Sequence, residues 1–257
     1  MLKTYVLNLD KHDRRMQKMH DQLFETDLDW VRYPGIDASE VGDAFLDSFV
    51  SRHGPIPRMP IGARACTAGH FQILKDFVTS KASHALILED DAVISEKLAE
   101  DLPNLVSAAG DGIINISRQI PTGSEKKLIV RSNGLKVGSY YIPELAGIHY
   151  SGAGYTVDRN AAETLLEMFP YPNMPVDHIL FNPNVSDIGK RVPVRQLFPA
   201  LVRPRESLVS SIQTVPVDGS KKLRNRLKRA KAELSIAPRL LLGVVTGRYE
   251  ILRLDFE

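Results

Sequence analysis

The segment His84-Ala-Leu-Ile-Leu-Glu-Asp-Asp-Ala-Val-Ile94 constrains the fold most, because an apolar run leads straight into three consecutive carboxylates and then turns apolar again. A short continuous apolar run reads as a strand buried on both faces, the habit of a largely parallel sheet covered by helices. Its end would deliver Glu89, Asp90 and Asp91 to one place. Adjacent carboxylates repel one another and are costly to bury even in part, so a buried strand that ends in them calls for a cation. An oxygen donor set of this kind suits a hard divalent ion, Mn2+ or Mg2+. The alternative is a surface turn with a solvated acidic rim, which the apolar flanks on both sides argue against.

The surrounding pattern supplies the helices such a sheet needs. Residues 3–9 read as a first strand, Asp10 to Asp13 as a polar loop, and Met16, Met19 and Leu23 as the apolar stripe of a helix. Val31 to Tyr33 reads as a second strand, and Gly54 to Gly62, with Pro55, Pro57 and Pro60, as a loop. Cys66, His70, Ile73, Leu74 and Phe77 share one face of a helix over Ala65 to Val78. Further strands are expected at Gly112 to Ile116 and Tyr155 to Val157, with a hairpin through Asn133-Gly134. A helix from Asp158 to Phe169 follows, capped by Asp158 or Asn160. Strand, loop and helix alternating in this way give an α/β fold.

The 257 residues accommodate a single large α/β domain, and a composition of 43% hydrophobic and 25% charged residues is that of a globular protein. The lone Cys66 cannot form an intramolecular disulfide, which favours a reducing, cytoplasmic compartment and removes a multi-thiolate zinc cluster. The N-terminus reads as a strand and not as a signal peptide, and no apolar run approaches the roughly 20 residues of a spanning helix. The net charge of +2 hides an asymmetry: seven of the eleven residues from Lys221 to Lys231 are Lys or Arg, beside a stripe of Leu223, Leu227, Ala230 and Leu234. The expected organisation is a catalytic domain over 1–217 and a basic helical extension over 218–257. That extension reads either as an interfacial helix drawn to anionic lipid or as a solvated helix. It lacks the interleaved aromatics that stack bases, so nucleic acid is not an expected partner.

Three further positions carry chemistry. Asn8, Leu9 and Asp10 end the first strand, and Arg14 and Arg15 open the next helix, where an α/β sheet binds nucleotides. Two arginines in a first helical turn oppose the helix dipole and suit an anion, although they also fit a solvated face. Neither a P-loop nor G-x-G-x-x-G is present. His70 reads as a hydrogen-bonded core histidine before it reads as a metal ligand paired i, i+4 with Cys66. Asp177, after the proline-rich segment Pro170 to Pro175, reads as a helix cap or as a general base.

In order along the chain, Tyr5-Val6-Leu7-Asn8-Leu9-Asp10 with Asp13-Arg14, Cys66 and His70, Leu88-Glu89-Asp90-Asp91, Gly152-Ala153-Gly154-Tyr155 with Ala161-Ala162, and Pro175-Val176-Asp177 resemble glycosyltransferase family 25. This is the family of lipo-oligosaccharide and procollagen galactosyltransferases, and the resemblance runs from Lys3 to Gln213, where Ser210-Ser211-Ile212 is similar to its late serine-rich stretch. It implies a GT-A-like single domain with a Rossmann-like mixed sheet, a UDP-sugar donor, a divalent cation and inversion at the anomeric carbon. Asn8, Asp10 and Arg14 match the donor-site motif, Glu89, Asp90 and Asp91 the acidic metal-site motif, and Asp177 the acidic residue near the acceptor. One departure stands out: the family pattern G-x-x-G-C-x-x-S-H reads here Gly62-Ala63-Arg64-Ala65-Cys66-Thr67-Ala68-Gly69-His70, without the second glycine and the serine.

These readings give an expected hexosyltransferase, galactose by the resemblance, with Asp91 and Glu89 on Mn2+ or Mg2+. Asn8, Leu9, Asp10, Arg14, Arg15, His70 and Asp90 are expected at the donor, and Asp177 as the base. The expected acceptor is a saccharide or lipid-linked glycan of the cell surface, met in the cytoplasm or at the inner membrane face. A metal-dependent phosphohydrolase or nucleotidyltransferase also gathers carboxylates at strand ends and is the rival reading.

Overall fold

The computed structural model describes residues 1–56, 59–118, 127–205 and 238–257. In chain order the elements are β1 (Leu2–Asn8), α1 (Asp13–Leu23), β2 (Trp30–Pro34), α2 (Ala38–Leu46), α3 (Ile61–Thr79), β3 (His84–Glu89), β4 (Ala92–Ile94), α4 (Leu98–Ala109) and β5 (Ile113–Asn115). They continue with β6 (Lys127–Arg131), β7 (Leu135–Val137), β8 (Tyr140–Ile142), β9 (Gly154–Asp158), α5 (Arg159–Met168), α6 (Val176–Phe181), β10 (Val194–Gln196), β11 (Val202–Pro204) and β12 (Tyr249–Arg253). No helix of the described residues is long and apolar enough to cross a membrane.

A six-stranded mixed sheet in the order β10-β5-β9-β3-β1-β2 forms the centre. The alternation of side chains along each strand divides the core into two layers. Tyr5, Leu7, Ile87, Tyr155 and Val157 pack against α3, α5 and α6 on one face. Val6, Leu86, Leu88 and Ile114 pack against α1 and α4 on the other. The apolar run of β3 is thus consumed on both faces, with Ala85, Leu86, Ile87 and Leu88 all fully buried. A strand sandwiched in this way has no polar face to offer, and its chemistry is forced to its end.

The register fixes what meets at that end. β1 runs parallel to both β2 and β3, with Asn8 opposite Pro34 and Leu7 opposite Glu89. β9 runs antiparallel to β3, with Leu88 opposite Gly154, so the start of β9 lies at the same edge. The Glu89 amide donates to the carbonyl of Ala153 at 3.0 Å and that of Asp90 to Leu7 at 3.1 Å, which seats the acidic turn between β1 and β9.

Several expectations shift. The hairpin turn is not at Asn133-Gly134: β7 pairs with β8 across Gly138-Ser139, while β6 pairs with β12. Gly138 has φ 57°, a conformation that glycine adopts without a Cβ penalty, and this two-residue turn satisfies hairpin geometry better than the Asn-Gly pair upstream. The proline-rich loop gives way at Ile61, so Gly62 lies in α3. Asp158 caps α5 by accepting from the Ala161 amide at 2.9 Å. Residues 238–245 are helical, but Tyr249–Arg253 is a strand, and Leu254 packs with Leu128, Val130, Phe198 and Ala200. The end of the chain is therefore bound into the domain. The basic run Lys221 to Lys231, the proposed boundary at 217/218, the Ser210-Ser211-Ile212 stretch and the polar stretch from Gln119 lie outside the described residues.

Candidate active site

A cleft of about 420 Å³ opens at the carboxyl ends of β1, β2 and β3 and is lined by Leu9, Lys11, His12, Arg15, Gly35 to Ser39, Cys66 and the acidic triplet. Its floor is a hydrogen-bonded network. The Asn8 amide, 1% exposed, donates to Asp90 Oδ2 at 2.8 Å, and Arg32 Nε donates to Asn8 Oδ1 at 2.8 Å. Arg15 donates to Asp90 Oδ1 at 3.1 Å, and His12 Nδ1 stands 3.5 Å from Oδ2. Both oxygens of Asp90 are thereby engaged. Asp10 is exposed and bound by Arg32.

Arg14 and Arg15, adjacent in sequence, part company. Arg15 faces Asp90 and lines the cleft, whereas Arg14 lies on the exposed side of α1 and is absent from that lining. His12, Arg32, Lys11 and Asp37 belong to the site and were not legible as such in the sequence. Burial alone would raise the Asp37 carboxyl, but bonds from Lys11 and Ser39 outweigh it and hold the group down at about 2. The signal that could have found Asp37 is its position just past the end of β2, where a parallel sheet delivers loop residues to the same edge.

Asp91 behaves differently from Asp90. Its Oδ1 is buried and without a hydrogen-bond partner. Burial, then the charges of Glu89 and Asp90, push its carboxyl up to about 7, with Arg15 opposing. An orphaned carboxylate oxygen beside two more acids is the condition a bound dication relieves, so the residues present fit a hard metal ion at Asp91.

Glu89 points toward α3. Its Oε1 lies 3.5 Å from His70 Nε2 and 4.0 Å from Cys66 Sγ. His70 is fully buried, with Nδ1 2.9 Å from the Tyr155 hydroxyl and its ring stacked on Tyr155. It is not among the residues that line the cleft. Across from Glu89 sits Gly152, where a Cβ would stand 3.4 Å from Glu89 Oε1 and 3.7 Å from Val176. Gly69, at the position of the absent serine, lies where a Cβ would come 3.0 Å from a Leu7 methyl, so a larger residue would need the Leu7 side chain to give by a few tenths of an ångström.

Asp177 lies in the first turn of α6, which is anchored to α3 by the Val176 amide donating to Thr67 Oγ1 at 3.1 Å. It does not cap the helix; Pro175 holds that position, and Asp177 Oδ1 accepts from the amide of the next residue at 2.9 Å. Burial raises its carboxyl above the usual range, His178 opposes, and the charge of Glu89 adds to the rise. The acidic turn therefore borders an arginine-bearing cleft, and Asp177, outside that lining, feels the charge of Glu89.

The chain is 28% identical over 200 residues to a glycosyltransferase 25 family member of Aedes aegypti, covering 71% of this chain and 32% of the relative. It is 24% identical over 271 residues to one of Anopheles gambiae, covering 96% and 44%. The chain thus spans well under two thirds of the length of these relatives. Among solved structures, S. aureus TarS 1–349 in complex with UDP-GlcNAc aligns with TM-score 0.40 and 11% identity over 88% of this chain and 65% of that one. Mannose-1-phosphate geranyltransferase from Thermus thermophilus aligns with TM-score 0.40 and 15% identity over 79% and 74%. Residues 1–180 match the model of glycosyltransferase family 25 (LPS biosynthesis protein), and the chain belongs to that family.

Proposed function

We propose that this chain is an inverting hexosyltransferase that moves a sugar, galactose by the family resemblance, from a UDP-sugar to a saccharide or lipid-linked glycan acceptor at the cytoplasmic side of a membrane. The observation that carries the reading is the buried, unpartnered Asp91 oxygen at the rim of a cleft that also presents Arg15 and Lys11. Asp91, with Glu89, would hold Mn2+ or Mg2+, which when bound supplies countercharge to the departing diphosphate. Arg15, already oriented by Asp90, contributes a charge-assisted hydrogen bond to the same leaving group. Asn8 positions Asp90 and Arg32 together and so holds the donor end of the cleft in shape.

Asp177 is the base. Inversion requires the acceptor hydroxyl to lose its proton on the face opposite the leaving nucleotide, and Asp177, outside the lining of the arginine-bearing cleft, follows Val176, which with Glu89 flanks Gly152. Its raised pKa keeps a protonated fraction to higher pH than an ordinary aspartate, so kcat climbs with pH through its titration. A single displacement needs one base and no covalent intermediate.

Screening a panel of UDP-sugars for Mn2+-dependent donor hydrolysis by the full chain tests the reading. One sugar nucleotide, expected to be UDP-galactose, is turned over fastest. Turnover of simple phosphoesters with none of the UDP-sugars consumed would replace this reading with a phosphohydrolase.

A further inference from the structure

We propose that Cys66, His70 and Glu89 form a second metal site, selective for a soft divalent ion, Zn2+, that shares Glu89 with the hard-ion position at Asp91. Cys66 and His70 are one helical turn apart on α3, and Glu89 closes the triangle from the end of β3. Their ligand atoms, Sγ, a ring nitrogen and a carboxylate oxygen, all lie within 4.8 Å of one another.

The individual distances suit tetrahedral zinc. Bonds of roughly 2.3 Å to sulfur and 2.0 Å to nitrogen or oxygen place sulfur and oxygen roughly 3.5 Å apart and nitrogen and oxygen roughly 3.3 Å apart. The observed separations are 4.0 Å for Cys66 Sγ to Glu89 Oε1 and 3.5 Å for His70 Nε2 to Glu89 Oε1. Small rotations of Cys66 and Glu89 close the remainder. One thiolate, one imidazole and one carboxylate leave a fourth position open for water.

The histidine is independent of the cysteine as a sign of a ligand. His70 is fully buried, and its Nε2 has no hydrogen-bond partner although it faces Glu89. Its other nitrogen is engaged by the Tyr155 hydroxyl at 2.9 Å, and the rings stack at 19°. With Nδ1–H donating to Tyr155, Nε2 presents its lone pair to the cluster, the arrangement that outer partners impose on ligating histidines. Without metal, burial followed by the charges of Glu89 and Asp177 pushes the Cys66 thiol well up. The same negative field attracts a dication, and coordination replaces the S–H bond by a zinc–sulfur bond, releasing one proton to solvent.

Because Glu89 belongs to both sets, zinc at Cys66 and His70 withdraws an oxygen from the Asp91 position. The site is thereby a point at which zinc opposes hard-metal-supported turnover. Zinc binding itself does not rest on the transferase reading.

Cobalt titration of the metal-free full chain tests it. Expected are a thiolate-to-cobalt charge-transfer band in the near ultraviolet and the intense visible bands of a four-coordinate ion, both persisting in Asp91→Ala and lost in Cys66→Ser. Chelator competition reads the zinc affinity. Tyr155→Phe lowers it about 10-fold, as expected for an outer partner, and Cys66→Ser or His70→Ala lowers it by about 100-fold or more. A wild-type chain without the thiolate–cobalt band overturns the proposal. So does a zinc affinity that neither Cys66→Ser nor His70→Ala changes. Absence of UDP-sugar turnover in a separate sample loaded with Mn2+ alone, beside an intact cobalt spectrum, would count against the transferase reading and leave the zinc site standing.

Discussion

Asp90 and Asp91 are chain neighbours with opposite circumstances. Asp90 has both oxygens engaged, by Asn8 and Arg15, whereas Asp91 keeps a buried oxygen with no partner. Asn8, Arg15 and Arg32 are tied to Asp90 or to one another, while the Asp91 carboxyl is pushed up by burial and by its acidic neighbours. A carboxylate with satisfied oxygens positions its neighbours; one held without partners in low dielectric is available for a cation or a proton. The acidic triplet therefore holds one satisfied carboxylate beside one with an unpartnered oxygen.

The largest effect that could break this contrast is on Asp91. Asp91→Ala should cut Mn2+-dependent sugar transfer by about 10³-fold with the fold retained. Wild-type turnover in that variant, measured in metal-stripped buffer with Mn2+ restored, would move the hard-ion role elsewhere. Asp177→Asn should lower kcat by roughly 10² while donor affinity by calorimetry stays within a factor of about two. An unchanged kcat would remove Asp177 from proton transfer.

Stability offers a third comparison. Burial and the neighbouring acids push the Asp91 carboxyl up to about 7, against 3.8 for an ordinary aspartate. Between those values the folded state binds more protons, so metal-free stability falls as pH rises and the full penalty is present above about 7. Asp91→Asn should then be more stable than wild type by up to about 4 kcal/mol at pH 8, with the gap closing toward pH 4. Urea melts at the two pH values measure it, and a gap independent of pH would contradict the burial described for Asp91. The smallest effect is the sharpest on position. Arg15→Ala should raise the donor KM by about 10-fold, and Arg14→Ala by less than about twofold, since only Arg15 faces Asp90. Equal effects would mean that the helix presents both arginines to the donor.

Much of this was legible in sequence because it is local or periodic. The apolar stretch of β3 read as a doubly covered strand and is one, and of Asp158 and Asn160, both open as the cap of α5, Asp158 takes the role. The Asn133-Gly134 dipeptide misled because a turn signal is only a propensity, and Gly138 stands between the strands that pair. His12 and Arg32 were illegible: they reach the site from a loop and from a strand facing Asn8, and neither carries a pattern. Asp177 could be seen, but whether it capped a helix or faced the site depended on where α6 begins.

By itself the sequence pointed to three carboxylates emerging together at the end of a buried strand, because an apolar run covered on both faces has no polar face to carry them. It also carried the family motifs in order. Only the tertiary structure decided which carboxylate is satisfied and which is not, and that Glu89 turns to Cys66 and His70 on α3. Those outcomes depend on the register of β1, β3 and β9 and on the seating of α3 at Gly69, which set distances of a few ångströms between groups remote along the chain. Electrostatic and coordination chemistry respond to those distances and not to sequence spacing.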